Sequence, residues 1–185
     1  MSNSPRDLFI NILIDKREGG YVNNPKDSGK ATKYGITEAV ARENGYKGDM
    51  KDFPRELAYK IYVDKYWKPL NLDLIAIISR KLADELLDTG VNCGIGVAAQ
   101  WLQLVLNAFN RQGLYYPDMI IDGKIGNLTI NSLKDYMNHR GHMNGEAVLL
   151  KAMNCLQGAH YLKLAALREK DEEFVFGQID KRVVL

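Results

Sequence analysis

The 185 residues contain only two cysteines and three histidines, and neither residue type is spaced as a metal-binding set. Cys93 and Cys155 belong to no CxxC motif and have no neighbouring histidine, whereas zinc sites are built from such groups. His139, His142 and His160 are interpreted as solvated or structural histidines. We therefore expect no metal and no cofactor, with both thiols free and buried. A disulfide between the cysteines stays open if the protein acts outside the cytoplasm.

Long apolar runs and a large excess of one charge are also missing. Asn11, Asp15 and Lys16 interrupt the apolar residues near the N-terminus, which argues against a signal peptide and a membrane span. The net charge of +2 is far below that of a nucleic-acid-binding protein, although it is compatible with an anionic polymer. We expect a protein made in the cytoplasm, with no nucleic-acid partner and no integral membrane segment.

Sustained period-two alternation, internal repeats and Pro/Ser-rich linkers are absent, which favours helices over sheet. Hydrophobic residues make up 46% of the chain and charged residues 26%, as in ordinary globular proteins. We predict a mainly α fold of roughly eight helices around one core, with a short irregular or hairpin loop between Tyr21 and Tyr34. Pro69 ends an aromatic-rich helix. We place the boundary between two lobes there, residues 1–70 and 71–185, within one compact body.

Local signals predict several helix boundaries. Ser4 and Pro5 are typical of a helix start, and Thr37 can cap the helix that follows it. Residues 73–89 read as one apolar helix, and the helix around Trp101 is the most apolar of the chain, which predicts a central position for it. Three aromatic residues at helical spacing are interpreted as core; they are Tyr62, Tyr66 and Trp67.

The stretch 18–37 has the composition of a catalytic loop. Glu18 ends the first predicted helix, where the negative end of the helix dipole raises the pKa of a carboxyl and so suits a general acid. Asp27 follows nine residues later in a glycine-containing loop, and Thr32 is placed to hold a water. Two carboxyls in different settings are what glycosidic cleavage requires. The alternative is an ordinary helix end, with Gly19 in the left-handed conformation and a solvated turn after it.

The same stretch, EGGYVNNPKDSGKATKYGIT, resembles the signature of glycoside hydrolase family 108, the N-acetylmuramidases of phages and bacteria. Ten positions carry the resemblance: Glu18, Gly19, Gly20, Tyr21, Asp27, Gly29, Thr32, Gly35, Ile36 and Thr37. Lys30 departs from it, since a small residue is usual there. The resemblance implies a lysozyme-like α fold, cleavage of the β-1,4 bond between N-acetylmuramic acid and N-acetylglucosamine, and Glu18 as proton donor. With it we assign catalysis to Glu18, Asp27 and Thr32. Substrate binding is assigned to Tyr21, Tyr34, Thr37 and Asn92.

The back half resembles the predicted peptidoglycan-binding region that follows this catalytic segment. The resemblance is carried by Gly90-Val91-Asn92, by Ala98 to Gln103 with Leu106-Asn107, and by Asp122 to Gly126 with Thr129. From the residues alone, Trp101 and Leu102 are core and Asp122-Gly123 is a turn. The ending Phe176 to Arg182 resembles a family ending in which Trp commonly occupies the place of Gln178.

Two functions are weighed on this basis. The first is a monomeric cell-wall muramidase whose partner is peptidoglycan. The second is a non-catalytic wall-binding or secretion-associated protein that retains the fold. In either case the expected route to the wall is a holin pore, lysis or non-classical export, and a phage or prophage endolysin and a bacterial secretion-linked protein fit equally.

Overall fold

A computed structural model describes residues 4–17, 20–23 and 31–183 of the chain. These described residues are 73% helical, which confirms the predicted mainly α, lysozyme-like class. Nine α-helices lie in the described residues, one more than the roughly eight predicted. The chain divides into two compact units, Met1–Pro69 (the first unit) and Leu70–Leu185 (the second unit).

The first unit combines short helices with a small antiparallel sheet. Its helices are α1 (Pro5–Ile12), α2 (Glu38–Glu43) and α3 (Arg55–Tyr62), with π-helical turns at Leu13–Arg17 and Val63–Trp67 and a 3-10 turn at Met50–Asp52. The strands β1 (Tyr21–Asn23), β2 (Ala31–Lys33) and β3 (Ile36–Thr37) form a three-stranded sheet in the order β1-β2-β3. Of the two forms predicted for the stretch between Tyr21 and Tyr34, an irregular loop or a hairpin, the antiparallel pairing of β1 with β2 shows the hairpin, and residues 24–30 lie outside the described residues.

Both predicted N-caps of the first unit are confirmed. The Ser4 hydroxyl accepts a hydrogen bond from the Asp7 amide at 3.1 Å, and Pro5 occupies the first helical position. The Thr37 hydroxyl accepts from the Val40 amide at 3.4 Å. Each cap satisfies one of the amides that a helix start leaves without an intrahelical partner.

The core of the first unit is built around Trp67, which is fully buried. Phe9 of α1 packs on its ring with centroids 6.3 Å apart, and Tyr62 is 1% exposed. The interpretation of the aromatic residues as core is confirmed for Tyr62 and Trp67. Because both lie at the end of α3 or in the turn after it, this packing fixes the segment that supports the sheet.

The second unit contains six of the nine described helices, and five of these six are longer than any helix of the first unit. The six are α4 (Leu72–Ile78), α5 (Arg80–Cys93), α6 (Ile95–Phe109), α7 (Asn127–Arg140), α8 (His142–Leu167) and α9 (Glu172–Arg182). Helix α6 packs against α5, α7 and α8, and its Leu102 and Leu106 are fully buried. The predicted central position of α6 is confirmed.

The prediction of one helix over residues 73–89 is wrong, because the chain breaks at Ser79. Ser79 is extended (φ −151°, ψ 113°), ends α4 and caps α5 through a bond from the Leu82 amide at 3.0 Å. Its hydroxyl also donates to Glu146 at 2.7 Å. Leu74 and Ile77, which belong to the apolar pattern of this stretch, are exposed, with Ile77 81% exposed.

The two cysteines are free. Burial raises the pKa of the half-buried Cys93 thiol to about 11. Cys155 is exposed, so the expectation that both thiols are buried is wrong for that residue. None of the described helices is long and apolar enough to cross a membrane.

Candidate functional site

The predicted site residues fall into three groups. Glu18 and Asp27 lie outside the described residues, as do the neighbouring Gly19 and Gly29. Tyr21, Thr32, Tyr34 and Thr37 lie on the sheet of the first unit and its turn. Asn92 lies on α5 in the second unit. The described residues around Glu18 and Asp27 are the turn before them, 13–17, and the strands of the sheet, within 20–23 and 31–37.

A π-helical turn, Leu13–Arg17, leads into the stretch 18–37. Asp15 of this turn accepts two hydrogen bonds from Arg55 of α3, from Nε to Oδ1 at 3.0 Å and from Nη2 to Oδ2 at 2.6 Å. The same Nη2 donates to Asn11 at 2.9 Å. The hydrogen bond from Arg55 holds the pKa of Asp15 below its usual value. π-Helical turns are frequent at functional sites because they re-aim the residues that follow, and no signal in the sequence predicted this one.

The pairing of the strands determines on which face of the sheet each described site residue lies. Thr32 on the central strand is paired with Val22 on one side and with Thr37 on the other. Lys33 is paired with Tyr21 and Ile36. Because directly opposed residues share a face of a sheet, Thr32 and Thr37 lie together. Tyr21 lies on the opposite face, so the sheet brings together only some of the predicted residues.

Tyr34 and Gly35 form the turn between β2 and β3. Their φ angles are +55° and +71°, as in the type I′ turn that favours a two-residue hairpin. The Tyr34 carbonyl accepts a bond from the Tyr62 hydroxyl at 2.9 Å, and its amide donates to the Gly20 carbonyl at 3.4 Å. Tyr34 is thus held in an unusual backbone conformation by a residue of the core.

Two lysines that the sequence did not single out flank the predicted tyrosines. The Lys33 ammonium lies 5.3 Å from the Tyr34 ring centroid and donates to the Lys51 carbonyl. The Lys51 ammonium lies 5.9 Å from the Tyr21 ring centroid. Ammonium groups at such distances are attracted to aromatic faces. The surroundings of Tyr21 and Tyr34 are therefore both aromatic and cationic, a combination that suits an anionic ligand. No spacing rule in the sequence predicts this combination.

In the second unit, the residues that carry the resemblance are mainly structural. Gln103 is 2% exposed and donates to Asp122 at 2.8 Å and to the Lys124 carbonyl at 3.0 Å, while it accepts from the Gly123 amide at 3.0 Å. Gly123 has φ +73°. The predicted turn at Asp122-Gly123 is confirmed, and Gln103 fixes it to α6. The hydrogen bond from Gln103 lowers the pKa of Asp122.

Asn92 and Gly90 also have local explanations. The exposed Asn92 donates to the Asp88 carbonyl of its own helix at 2.8 Å. A Cβ on Gly90 would approach Leu70 Cδ1 to 2.9 Å, so glycine lets Leu70 pack directly on α5. Asn92 keeps an exposed side chain, and its assigned role in substrate binding stays a prediction.

Histidines in the second unit make ring contacts. His160 meets Trp101 edge-on at 5.4 Å between centroids, and His139 stacks on Tyr115 at 4.2 Å. Within the described part of the chain, no group of three or more His, Cys, Asp or Glu side chains is arranged to hold a metal ion.

Two family models match successive segments of the chain. Residues 12–94 match the family model of glycosyl hydrolase 108, and residues 97–183 match that of a predicted peptidoglycan domain. These matches confirm both resemblances drawn from the sequence. The first match runs past Pro69 and includes α4 and α5 of the second unit.

Among solved structures, that of SagA from Brucella abortus is similar to this chain. The TM-score is 0.58 and the identity 21%, over 97% of this chain and 99% of that chain. At this identity the likeness supports the fold. No protein with a curated description matches the chain.

Proposed function

We propose that the protein is an N-acetylmuramidase, which hydrolyses the β-1,4 bond between N-acetylmuramic acid and N-acetylglucosamine in peptidoglycan. The observation that carries the proposal is the ten-position signature over residues 18–37, which lies inside the segment matched to glycosyl hydrolase 108. The predicted peptidoglycan domain over residues 97–183 points to the same polymer.

In this mechanism Glu18 protonates the leaving glycosidic oxygen. Asp27 activates or orients a water, or stabilises the positive charge that develops on the sugar ring, and Thr32 supports it. Inverting chemistry requires a separation of about 6.5 to 9.5 Å between the two carboxyls, and a retaining nucleophile about 5 to 5.5 Å. The stereochemistry of the product therefore reports the distance between Glu18 and Asp27.

Substrate contacts are proposed for residues on both faces of the sheet in the first unit. Thr37 shares a face of the sheet with Thr32. The Lys51 ammonium lies over the ring of Tyr21, and the Lys33 ammonium lies over the ring of Tyr34. A glycan with carboxylate substituents suits an aromatic and cationic surface, because sugar rings pack on aromatic faces while ammonium groups attract carboxylates. We assign Tyr21, Tyr34 and Thr37 to substrate binding, together with Asn92.

The deciding experiment is an analysis of the fragments released from purified peptidoglycan. Wild type should release fragments with new reducing N-acetylmuramic acid ends. Glu18→Gln should release none while it remains folded, since the amide cannot donate the proton; Asp27→Asn should lose most of the activity. Glu56→Gln changes an exposed glutamate of the same unit and should act as wild type.

Three outcomes would replace the proposal. Anhydro ends would indicate a lytic transglycosylase, and wall binding without fragments would support the non-catalytic alternative. A fully active Glu18→Gln would remove Glu18 from the mechanism.

We further propose that the protein acts as a monomer and meets the wall after passage through a holin pore, after lysis or by non-classical export. A phage or prophage endolysin role and a bacterial secretion-linked role fit this proposal equally. The mass in solution tests the monomeric state. Fragment analysis with walls of different composition shows which wall the protein prefers.

A further inference from the structure

A pocket of about 220 Å³ lies in the second unit, where α7 ends and α8 begins. It is lined by Phe109, Tyr136, Arg140, Asn144, Gly145 and Val148. None of these residues belongs to the sequence motifs described above. The pocket is smaller than the roughly 300 to 1,000 Å³ of sites for larger ligands, so it fits one amino-acid residue rather than a disaccharide.

The pocket exists because two helices approach closely at a glycine. A Cβ on Gly145 would lie 3.1 Å from Arg140 Cβ and 3.4 Å from Tyr136 Cε1. The Tyr136 hydroxyl donates to the Gly145 carbonyl at 3.0 Å, and Phe109 stacks on Tyr136 with centroids 5.8 Å apart. The walls are therefore fixed before any ligand arrives, which lowers the entropy cost of binding.

Arg140 places a cation at the edge of this pocket. Its guanidinium carbon lies 5.0 Å from the Tyr115 ring centroid, and Tyr115 in turn stacks on His139. Among the described hydrogen bonds, the guanidinium makes a single long one, to the Phe109 carbonyl at 3.5 Å. By contrast, Arg168 and Arg182 pair with Asp171 and Asp88. Arg140 is thus positioned by an aromatic ring and retains most of its five N–H donors.

These groups together match a carboxylate next to a small aliphatic group. A guanidinium binds a carboxylate through two parallel hydrogen bonds, and the Asn144 amide offers a further donor. Phe109 and Val148 supply apolar contact of the size of a methyl group. The N-terminus of α8, which has no side-chain cap, lies at the same place, and the helix dipole adds positive potential there.

We propose that this pocket binds a carboxylate on the stem peptide of peptidoglycan, such as that of an alanine residue. The inference rests on the proposed function in one respect, namely that peptidoglycan is the polymer on which the protein acts. It assigns peptide recognition to the second unit and glycan cleavage to the signature stretch. Binding of one carboxylate is weak by itself, but it adds to binding of the glycan by the first unit, because a second contact with the same polymer is intramolecular.

The test is a titration of the full chain with a soluble, alanine-terminated stem peptide and with the same peptide amidated at its carboxyl groups. Calorimetry or NMR measures the affinity. Wild type should bind the free acid about tenfold more tightly than the amide, which corresponds to about 1.4 kcal/mol. Arg140→Gln should lose this preference. Arg80→Gln removes the same charge from an exposed arginine of the second unit and should keep it.

A second variant tests the pocket without altering Arg140. Val148 is 41% exposed, so Val148→Phe places a ring in the pocket at little cost to the core and should also abolish the preference. Equal affinity of Arg140→Gln and Arg80→Gln for the free acid would overturn the proposal, as would the absence of binding to wild type. Arg140-dependent binding of peptide-free glycan, through the lactyl carboxylate of muramic acid, would overturn the stem peptide as the source.

This outcome is separate from that of the fragment analysis. Arg140-dependent binding by a protein that releases no fragments would retain the pocket and reject the hydrolase. Fragment release by a protein whose Arg140→Gln variant binds as Arg80→Gln does would retain the hydrolase and reject the pocket.

Discussion

Thr32 in the first unit and Gln103 in the second both belong to sequence signatures, yet their surroundings differ. Gln103 is buried, and its side chain bonds to Asp122, to the Lys124 carbonyl and to the Gly123 amide. Thr32 is half-buried on the central strand of a small sheet, beside Val22 and Thr37. Within the described residues, no comparable set of bonds explains the threonine.

This difference separates two meanings that a sequence signature can have. In the second unit, Gln103 holds a turn to α6 and Gly90 lets Leu70 pack on α5, so the structure explains the chemical types of these two signature residues. In the first unit, Ile36 is buried in the core and Thr37 caps α2, whereas the half-buried Thr32 has no such structural role within the described residues. Substitutions should therefore reduce stability in the second unit and activity in the first.

The largest stability effect should come from Gln103→Leu. The apolar side chain leaves the half-buried Gly123 amide without its hydrogen-bond acceptor and removes one of two bonds to the Lys124 carbonyl, which also accepts from the Gly126 amide. An unpaired amide costs about 1 to 3 kcal/mol, so we expect the free energy of unfolding to fall by about 3 kcal/mol in urea denaturation. Gln100→Leu, on an exposed position of the same helix, should change it by less than about 0.5 kcal/mol.

A second test of the structural character of the second unit is its response to pH. Burial and the neighbouring Asp88 raise the pKa of Glu85 to about 7, although Thr89 and Asn154 donate hydrogen bonds to its carboxylate. The folded protein therefore binds a proton more tightly than the unfolded chain does. The resulting stability is fully present below about pH 4.5 and is lost as pH rises through 7.

We expect the free energy of unfolding to decrease by about 3 kcal/mol between these pH values. Glu85→Gln carries no titrating carboxyl and should flatten most of this dependence. Glu173→Gln, at an exposed position on α9, should keep the wild-type slope. An unchanged slope in Glu85→Gln would show that another group titrates.

Helix starts were predictable from sequence because capping is local. Ser4 and Thr37 make bonds within three residues of themselves, so the sequence contains the whole signal. The break at Ser79 was missed although Ser79 caps α5, because Leu74, Ile77 and the residues after them continue an apolar pattern through it. The exposure of Ile77 depends on which face of α4 is covered, and spacing does not determine that face.

The frame of the candidate site was predictable only in part. A short hairpin between Tyr21 and Tyr34 was predicted from turn-forming residues, but the sharp turn at Tyr34-Gly35 lacks the Asn-Gly pair that usually indicates one. The π-helical turn before Glu18 is tied to α3 by Arg55, which is 40 residues from Asp15 in sequence. A contact between residues so far apart in the sequence produces no periodic pattern from which it could be predicted.

In the first unit, Thr32→Val should reduce activity and leave stability unchanged. Valine has nearly the same shape and is favoured in strands, so the pairing with Val22 and Thr37 is retained. Loss of the hydroxyl should slow fragment release by about 30-fold, or about 2 kcal/mol of barrier. Thr32→Ser, which restores a hydroxyl, should recover most of the rate. Equal rates for Thr32→Val and wild type would remove Thr32 from the mechanism.

The smallest effect concerns Thr37, which has both a structural and a proposed substrate role. Its hydroxyl caps α2, and loss of an N-cap costs about 1 kcal/mol. Thr37→Ser should therefore match wild type in urea denaturation, whereas Thr37→Ala should be less stable by that amount. Fragment release measured well below the unfolding temperature then separates the roles. An apparent KM for wall that rises in Thr37→Ala but not in Thr37→Ser indicates a contact between the hydroxyl and substrate, because a cap alone changes only the folded fraction.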